Sequence, residues 1–238
     1  MALSLEGGVL VTGLEDGQPL RDGNLRIWRH FTGQHISMRV LALDGRATLR
    51  SDDGDQVLYI LERDTGIHLP SGAEIELEGK ITLIGVATIN NLECGGRAAA
   101  LPPAQSGGVA TALQIRLADQ PIEHTGDRWY RELIQSEITQ FVGSIPPGRA
   151  PDHFHLYEEV LCILQGSGFL WAGTSKTPIA PGSCVYLPKG QSHCVENTTS
   201  GELRLLGVFY PAGSPAMRYP VHERADRSPE EDELERRD

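Results

Sequence analysis

Gly148-Arg-Ala-Pro-Asp-His153-Phe-His155-Leu-Tyr-Glu-Glu159-Val-Leu-Cys-Ile-Leu-Gln-Gly166, followed by Gly182-Ser-Cys-Val-Tyr-Leu-Pro188-Lys-Gly190-Gln-Ser-His193-Cys-Val-Glu-Asn197, decides how this chain folds. His153 and His155 are two residues apart, so on a strand both point to one face. Glu159 follows four residues after His155, room for a short bend into the next strand. His193 sits among Pro188, Gly190 and Asn197, residues that shape turns. Three imidazole nitrogens and one carboxylate oxygen suit one first-row divalent metal and leave positions for water, substrate or dioxygen.

Short apolar runs surround these residues. Strands are expected over 138–145, 153–155, 159–164, 168–171, 183–187, 193–196 and 203–210, with turns at Pro146-Pro-Gly148, Gly166-Ser-Gly168 and Pro188-Lys-Gly190. Gly and Pro are abundant, 27 and 15 of 238 residues, and helix signals are poor, so the chain reads as all-β. Many short antiparallel strands closed into a barrel remove exposed edges and leave an interior. Alternation from Glu159 puts Leu161 and Ile163 on the carboxylate's face, giving a polar centre with apolar walls beyond it. Glu158 points the other way, so Glu158→Gln is expected to be nearly neutral, a control for Glu159→Gln.

The two stretches resemble the two motifs of the cupin superfamily, G-x5-H-x-H-x3,4-E-x6-G and G-x5-P-x-G-x2-H-x3-N. Nine of the ten fixed positions fall at the expected spacing, and Gly148 is displaced by one. The resemblance implies a jelly-roll barrel in which His153, His155, Glu159 and His193 carry one metal.

A second copy of the pattern lies upstream. Val57-Leu-Tyr-Ile-Leu-Glu-Arg63 resembles Val160-Leu-Cys-Ile-Leu-Gln-Gly166, an offset of 103 residues, and Gly72 precedes Gly182 by 110. The chain is therefore similar to a bicupin, two tandem cupin barrels, with the resemblance weak over 20–90 and strong over 127–212. Aligned on Val57, the first copy places Arg50, Asp52 and Gln56 where the second has His153, His155 and Glu159, so the metal motif survives only in the second. The expected organisation is a degenerate barrel at 1–94, a connector at 95–126, a metal-binding barrel at 127–212 and a charged tail at 213–238. Gly95–Gly108 reads as a flexible connector. Leu113-Gln-Ile-Arg-Leu117 alternates like a strand and pairs with either barrel. His30, His35, His68 and His124 are expected in barrel or surface roles. Glu223–Asp238 is too polar to offset its ordering entropy, with a short helix after Ser228 as the alternative.

The net charge of −11 argues against nucleic-acid and anionic-membrane partners. Cys94, Cys162, Cys184 and Cys194 form no C-x-x-C pair. The opening Met1-Ala-Leu-Ser-Leu-Glu-Gly-Gly8 has no basic residue and no long apolar run, so a reducing cytoplasm with free thiols is expected. The sequon Asn197-Thr-Thr199 is then idle, and Asn197 serves the second motif.

The leading expectation is a mononuclear non-haem Fe(II) dioxygenase acting on a small oxygenated metabolite. Two alternatives stay open. One is Lewis-acid chemistry with Mn, Zn or Ni, as in cupin isomerases, lyases and hydrolases. The other is a metal-dependent small-molecule binding protein. Cupins commonly pair through their sheets, so a homodimer is expected. Gln140 and Tyr157 are the candidate substrate contacts. Arg149 is a loop arginine, and Trp171 and Tyr186 suit a core or an interface. Cys194 should face away from the metal, and the role of 127–131 is open.

Overall fold

The computed structural model describes residues 2–52, 54–89, 111–217 and 219–220. Cys94, the stretch 95–108 and the segment 223–238 lie outside the described residues. The amino-terminal strands are β1 (Leu3–Ser4), β2 (Leu10–Gly13), β3 (Leu20–Asp22), β4 (Leu25–Thr32), β5 (Ile36–Arg50), β6 (Gln56–Ile60), β7 (Thr65–Leu69), β8 (Glu74–Thr88) and β9 (Leu113–Arg116). The carboxy-terminal strands are β10 (Glu123–Thr125), β11 (Arg128–Gln135), β12 (Thr139–Ile145), β13 (Gly148–Arg149), β14 (His153–Phe154), β15 (Glu158–Gln165) and β16 (Gly168–Ala172). They continue with β17 (Ser175–Ile179), β18 (Ser183–Leu187), β19 (His193–Asn197), β20 (Leu203–Tyr210) and β21 (Tyr219–Pro220). Among the described residues three short 3-10 turns interrupt them, and no helix there is long and apolar enough to cross a membrane. The protein is all-β, as its turn-rich composition implied.

Three sheets form two barrels. A seven-stranded sheet runs β3-β4-β5-β8-β6-β7-β9. Its two longest strands, β5 and β8, pair antiparallel over their whole length, and Gly45 lies directly opposite Gly79. Both take φ near +120° (118° and 120°), a region that side-chain-bearing residues rarely adopt. The ribbon bends there, and its far half brings Leu49, Ile75 and Leu77 against Leu41, Leu43 and Leu58. The amino-terminal barrel is thus filled with aliphatic side chains. Leu113–Arg116 returns to this barrel as β9, paired with β7.

The carboxy-terminal barrel has two sheets. One runs β1-β2-β18-β15-β20-β12-β11-β10; the other runs β17-β16-β19-β14-β21, with β13 also on β19. Strands β1 and β2 open the chain, yet β2 pairs with β18, Val11 opposite Val185. Strand alternation gives the eight-stranded sheet two apolar faces. Phe141, Leu161, Leu205 and Phe209 face the barrel interior. Val142, Val160, Leu206 and Val208 face the first barrel and share one core with Met38, Val57, Tyr59 and Val86.

Candidate metal centre

Strand β14 carries His153, paired in register with His193 on β19. His155 lies in the bend after β14, and Glu159 is the second residue of β15, opposite Leu187 and Phe209. Phe154, between the two histidines, turns to the other face and stacks on Tyr219 at 5.5 Å. The three imidazoles converge. Ring centroids are 4.5 Å apart for His153–His193, 4.9 Å for His153–His155 and 5.3 Å for His155–His193. One nitrogen from each lies within 4.8 Å of the others, a grouping that could hold a metal ion. Glu159 Oε2 is 3.6 Å from His155 Nε2 and 3.5 Å from His193 Nε2. Two ligands each about 2.1 Å from one ion stand about 3.0–3.4 Å apart, so these separations are close to those of a shared ion.

The rings are oriented by the backbone. His153 Nδ1 is 3.1 Å from the Pro151 carbonyl and His193 Nδ1 is 2.9 Å from the Gln191 carbonyl. An Nδ1–H donated to a carbonyl leaves the Nε2 lone pair for a metal. The Pro188–Gly190 turn helps, since the Gly190 amide donates to the His155 carbonyl at 2.8 Å. Asn197, which closes the second motif, is 2% exposed; its amide donates to the Ile145 and Gly201 carbonyls and its oxygen accepts from Thr199.

Glu159 is 4% exposed, and its Oε2 accepts no hydrogen bond. An unpaired buried carboxylate oxygen is costly, so the donor set fits a cation placed among these four side chains.

The site opens into a cavity of about 90 Å³. Phe141, Leu161, Val195, Leu205 and Phe209 form its apolar wall; Arg128, Thr125 and Ser144 add polar groups. Arg128 is the only Lys or Arg among the lining residues. Sequence reasoning left the segment 127–131 unassigned, although Arg128, Trp129 and Tyr130 all border the cavity. Polar residues there had no spacing that tied them to the histidines. Tyr130 donates to Glu123 at 2.6 Å, which raises the pKa of its phenol.

Gln140 and Tyr157 do not line this cavity. Gln140 is fully buried on the face of β12 that meets the first barrel, close against Gly66. Tyr157 stacks on His155 at 4.8 Å and packs on Phe209 at 4.4 Å, so it supports the His155 ring from behind. Burial, with the Glu159 carboxylate nearby, raises its pKa. Arg149 lies on the outer face, its guanidinium 4.1 Å from the Trp171 ring and its Nε 3.3 Å from Cys194 Sγ. Cys194 is buried on the face of β19 opposite His193, as alternation required. His30 and His68 bond to the Leu14 carbonyl and Asp55, which leaves them in local structural roles.

Glu158 departs from expectation. It does face away from Glu159 and the three imidazoles, but that face is not solvent. Glu158 is 4% exposed and accepts hydrogen bonds from the backbone amides of Gln34, His35 and Ile36 and from the Tyr186 hydroxyl. The near-neutral substitution expected from alternation alone is therefore corrected: the opposite face of β15 is the junction of the two barrels.

Residues 141–209 match the Cupin_2 family, a cupin domain. The match falls within the carboxy-terminal barrel and takes in both histidine-bearing stretches, so this part of the chain is similar to a cupin domain. A mutant of Bacillus subtilis oxalate decarboxylase superposes with a TM-score of 0.65 at 12% identity, covering 93% of this chain and 81% of that one. A putative glyoxylate-induced protein from Pseudomonas aeruginosa gives a TM-score of 0.59 at 14% identity, covering 91% and 94%. A cupin 2 conserved barrel domain protein from Leptotrichia buccalis gives 0.53 at 13%, covering 84% and 95%. At these identities the likeness is one of fold. No curated protein is similar enough in sequence to count as a relative.

Proposed function

We propose that this protein is a metal-dependent enzyme, with one divalent first-row transition metal held by His153, His155, Glu159 and His193, acting on a small oxygenated metabolite. The observation that carries this reading is the unpaired Glu159 Oε2 beside His155 and His193. The metal would supply open coordination positions at which an oxygen-bearing substrate and dioxygen are held side by side.

Fe(II) dioxygenase chemistry is favoured by the cavity. Hydrolysis and isomerisation need a positioned acid or base. Apart from the ligands themselves, the cavity wall offers Tyr130, already hydrogen-bonded to Glu123, and no further carboxylate. An apolar wall suits dioxygen. An apolar cavity of about 150 Å³ admits benzene, so about 90 Å³ suits a smaller ligand. Tyr130 and Glu123 also keep a second reading in play, Lewis-acid isomerase, lyase or hydrolase chemistry with Mn, Zn or Ni.

Elemental analysis of protein purified without added metal should give one ion per chain; two tightly held ions would contradict a single site. Assays with small hydroxy- and oxo-acids, diols and diketones then separate the readings. Turnover with oxygen uptake supports the dioxygenase, and turnover under nitrogen supports the Lewis acid. Binding without turnover under either gas would sink the enzymatic reading.

A further inference from the structure

The amino-terminal barrel contributes no histidine to the metal centre, and the ligand group among the described residues belongs wholly to the second barrel. It nevertheless reaches the residue next to Glu159. The turn between β4 and β5 presents three successive backbone amides to the Glu158 carboxylate. Gln34 N is 2.7 Å from Oε1; His35 N and Ile36 N are 2.9 Å and 3.2 Å from Oε2. The Tyr186 hydroxyl adds a fourth donor at 2.5 Å, and His35 Nδ1 stands 3.8 Å from Oε2. Consecutive amides of this kind form an anion-binding concavity. Every hydrogen bond made to the side chain comes from a donor, so a carboxylate fits and a carboxamide, which must point an NH2 at donors, does not.

The turn is also shaped for close approach. A Cβ on Gly33 would stand 2.6 Å from the Tyr186 ring and hydroxyl. The Gly33 amide closes the turn by donating to the Ile36 carbonyl at 2.8 Å.

Glu158 is the first residue of β15, and Glu159 is the second. The chain enters β15 from the bend that carries His155 and Tyr157, so the height and rotation at which Glu159 leaves that bend depend on what holds Glu158. We propose that Glu158 is a positioning residue for the metal centre, through which the β4–β5 turn of the amino-terminal barrel sets the placement of the Glu159 carboxylate. This rests on Glu159 being a metal ligand. The degenerate barrel is then part of the site's support, and the tolerance of the centre for a given metal is set partly from the other half of the chain.

The test titrates the metal-stripped full-length protein with Co(II), reading affinity by chelator competition and ligand geometry by visible absorption. Five variants are compared with the parent: E158Q, G33A, Y186F, E159Q and V57A. Val57 lies in the same inter-barrel core and is not among the donors to Glu158, so V57A reports loosening of the junction in general. Loss of an outer-shell partner typically weakens metal binding roughly 10–100-fold. E158Q and G33A are expected to weaken Co(II) binding by that order and to alter the absorption bands. Y186F should do so to a lesser degree, and V57A should lower the Tm without touching either readout. If E158Q fails to fold, G33A and Y186F decide alone. Parent-like Co(II) affinity and spectra in E158Q and G33A would overturn the proposal and leave Glu158 as interface glue. So would an equal change in V57A. Parent-like binding by E159Q is a separate failure, that of the ligand assignment itself.

Discussion

At the scale of single residues, Glu158 and Glu159 share a backbone and a charge but face different surroundings. Glu159 has no hydrogen-bond donor on Oε2 and two imidazoles within 3.6 Å; Glu158 has four donors. Glu159→Gln keeps shape and removes charge. It should retain the fold and lower metal affinity by at least the roughly 10–100-fold seen for outer-shell losses, as read by metal titration. Unchanged affinity would remove Glu159 from the ligand set. For Glu158→Gln the loss of a buried charge-assisted bond predicts destabilisation of about 1.5–3 kcal/mol, visible as a lowered urea midpoint. The candidate ligands could be picked out of the sequence because His153, His155, Glu159 and His193 lie at the spacings of a known motif, and the fold brings these four side chains together. The partners of Glu158 could not, because Gln34 is 124 residues away and donates through its backbone, which leaves no mark on side-chain identity.

At the scale of elements, most strands of the second barrel could be placed from alternation and turn residues. β18 was expected at 183–187 and spans Ser183–Leu187, and β20 likewise spans Leu203–Tyr210. β17 (Ser175–Ile179) escaped notice because it contains Lys176, Thr177 and Pro178. It is an edge strand of its sheet, where proline is tolerated because the missing amide can face outward. The pairing of β2 with β18 was also illegible: the partners are about 170 residues apart, and nothing in Leu10–Gly13 names its neighbour. Glycines inside strands carry a different message. Gly207 lies opposite Phe141, and a Cβ there would stand 2.2 Å from the Phe141 ring. Gly207→Ala should therefore push Phe141 from its place in the cavity wall. Overpacking of this kind costs about 1–3 kcal/mol. The expected result is a lower Tm with metal stoichiometry kept and substrate affinity changed. A variant with parent-like Tm and substrate binding would show that the ring moves freely, contrary to its packing against Tyr130 and Phe209.

For the whole molecule, the sequence repeat revealed two barrels, but not how closely they are joined. Tyr59, Tyr157 and Tyr186 are buried across the two halves, and burial raises all three phenol pKa values. A raised folded pKa gives stability that is complete below the unfolded value near 10 and is lost as the pH rises through it toward the folded value. The urea midpoint should therefore be lower at about pH 11 than at about pH 8; an equal midpoint would contradict burial of these hydroxyls.

The shared core makes a stronger demand. Val142, Val160, Leu206 and Val208 face Met38, Val57, Tyr59 and Val86, and β2 covers the edge of β18. Residues 111–220 alone would expose that apolar face and leave the edge of β18 unpaired, conditions that favour association or aggregation. The full chain should melt in a single calorimetric transition, because neither barrel can lose its face of the junction without stripping the other. The 111–220 fragment should be soluble only as an oligomer, with weakened Co(II) binding, since the turn that holds Glu158 is gone. Adding back residues 2–89 as a separate chain should restore both monodispersity and Co(II) affinity. A fragment that is monomeric and binds Co(II) like the full chain would show that the second barrel is self-sufficient, and the amino-terminal half would then have to be explained by something other than support of the metal centre.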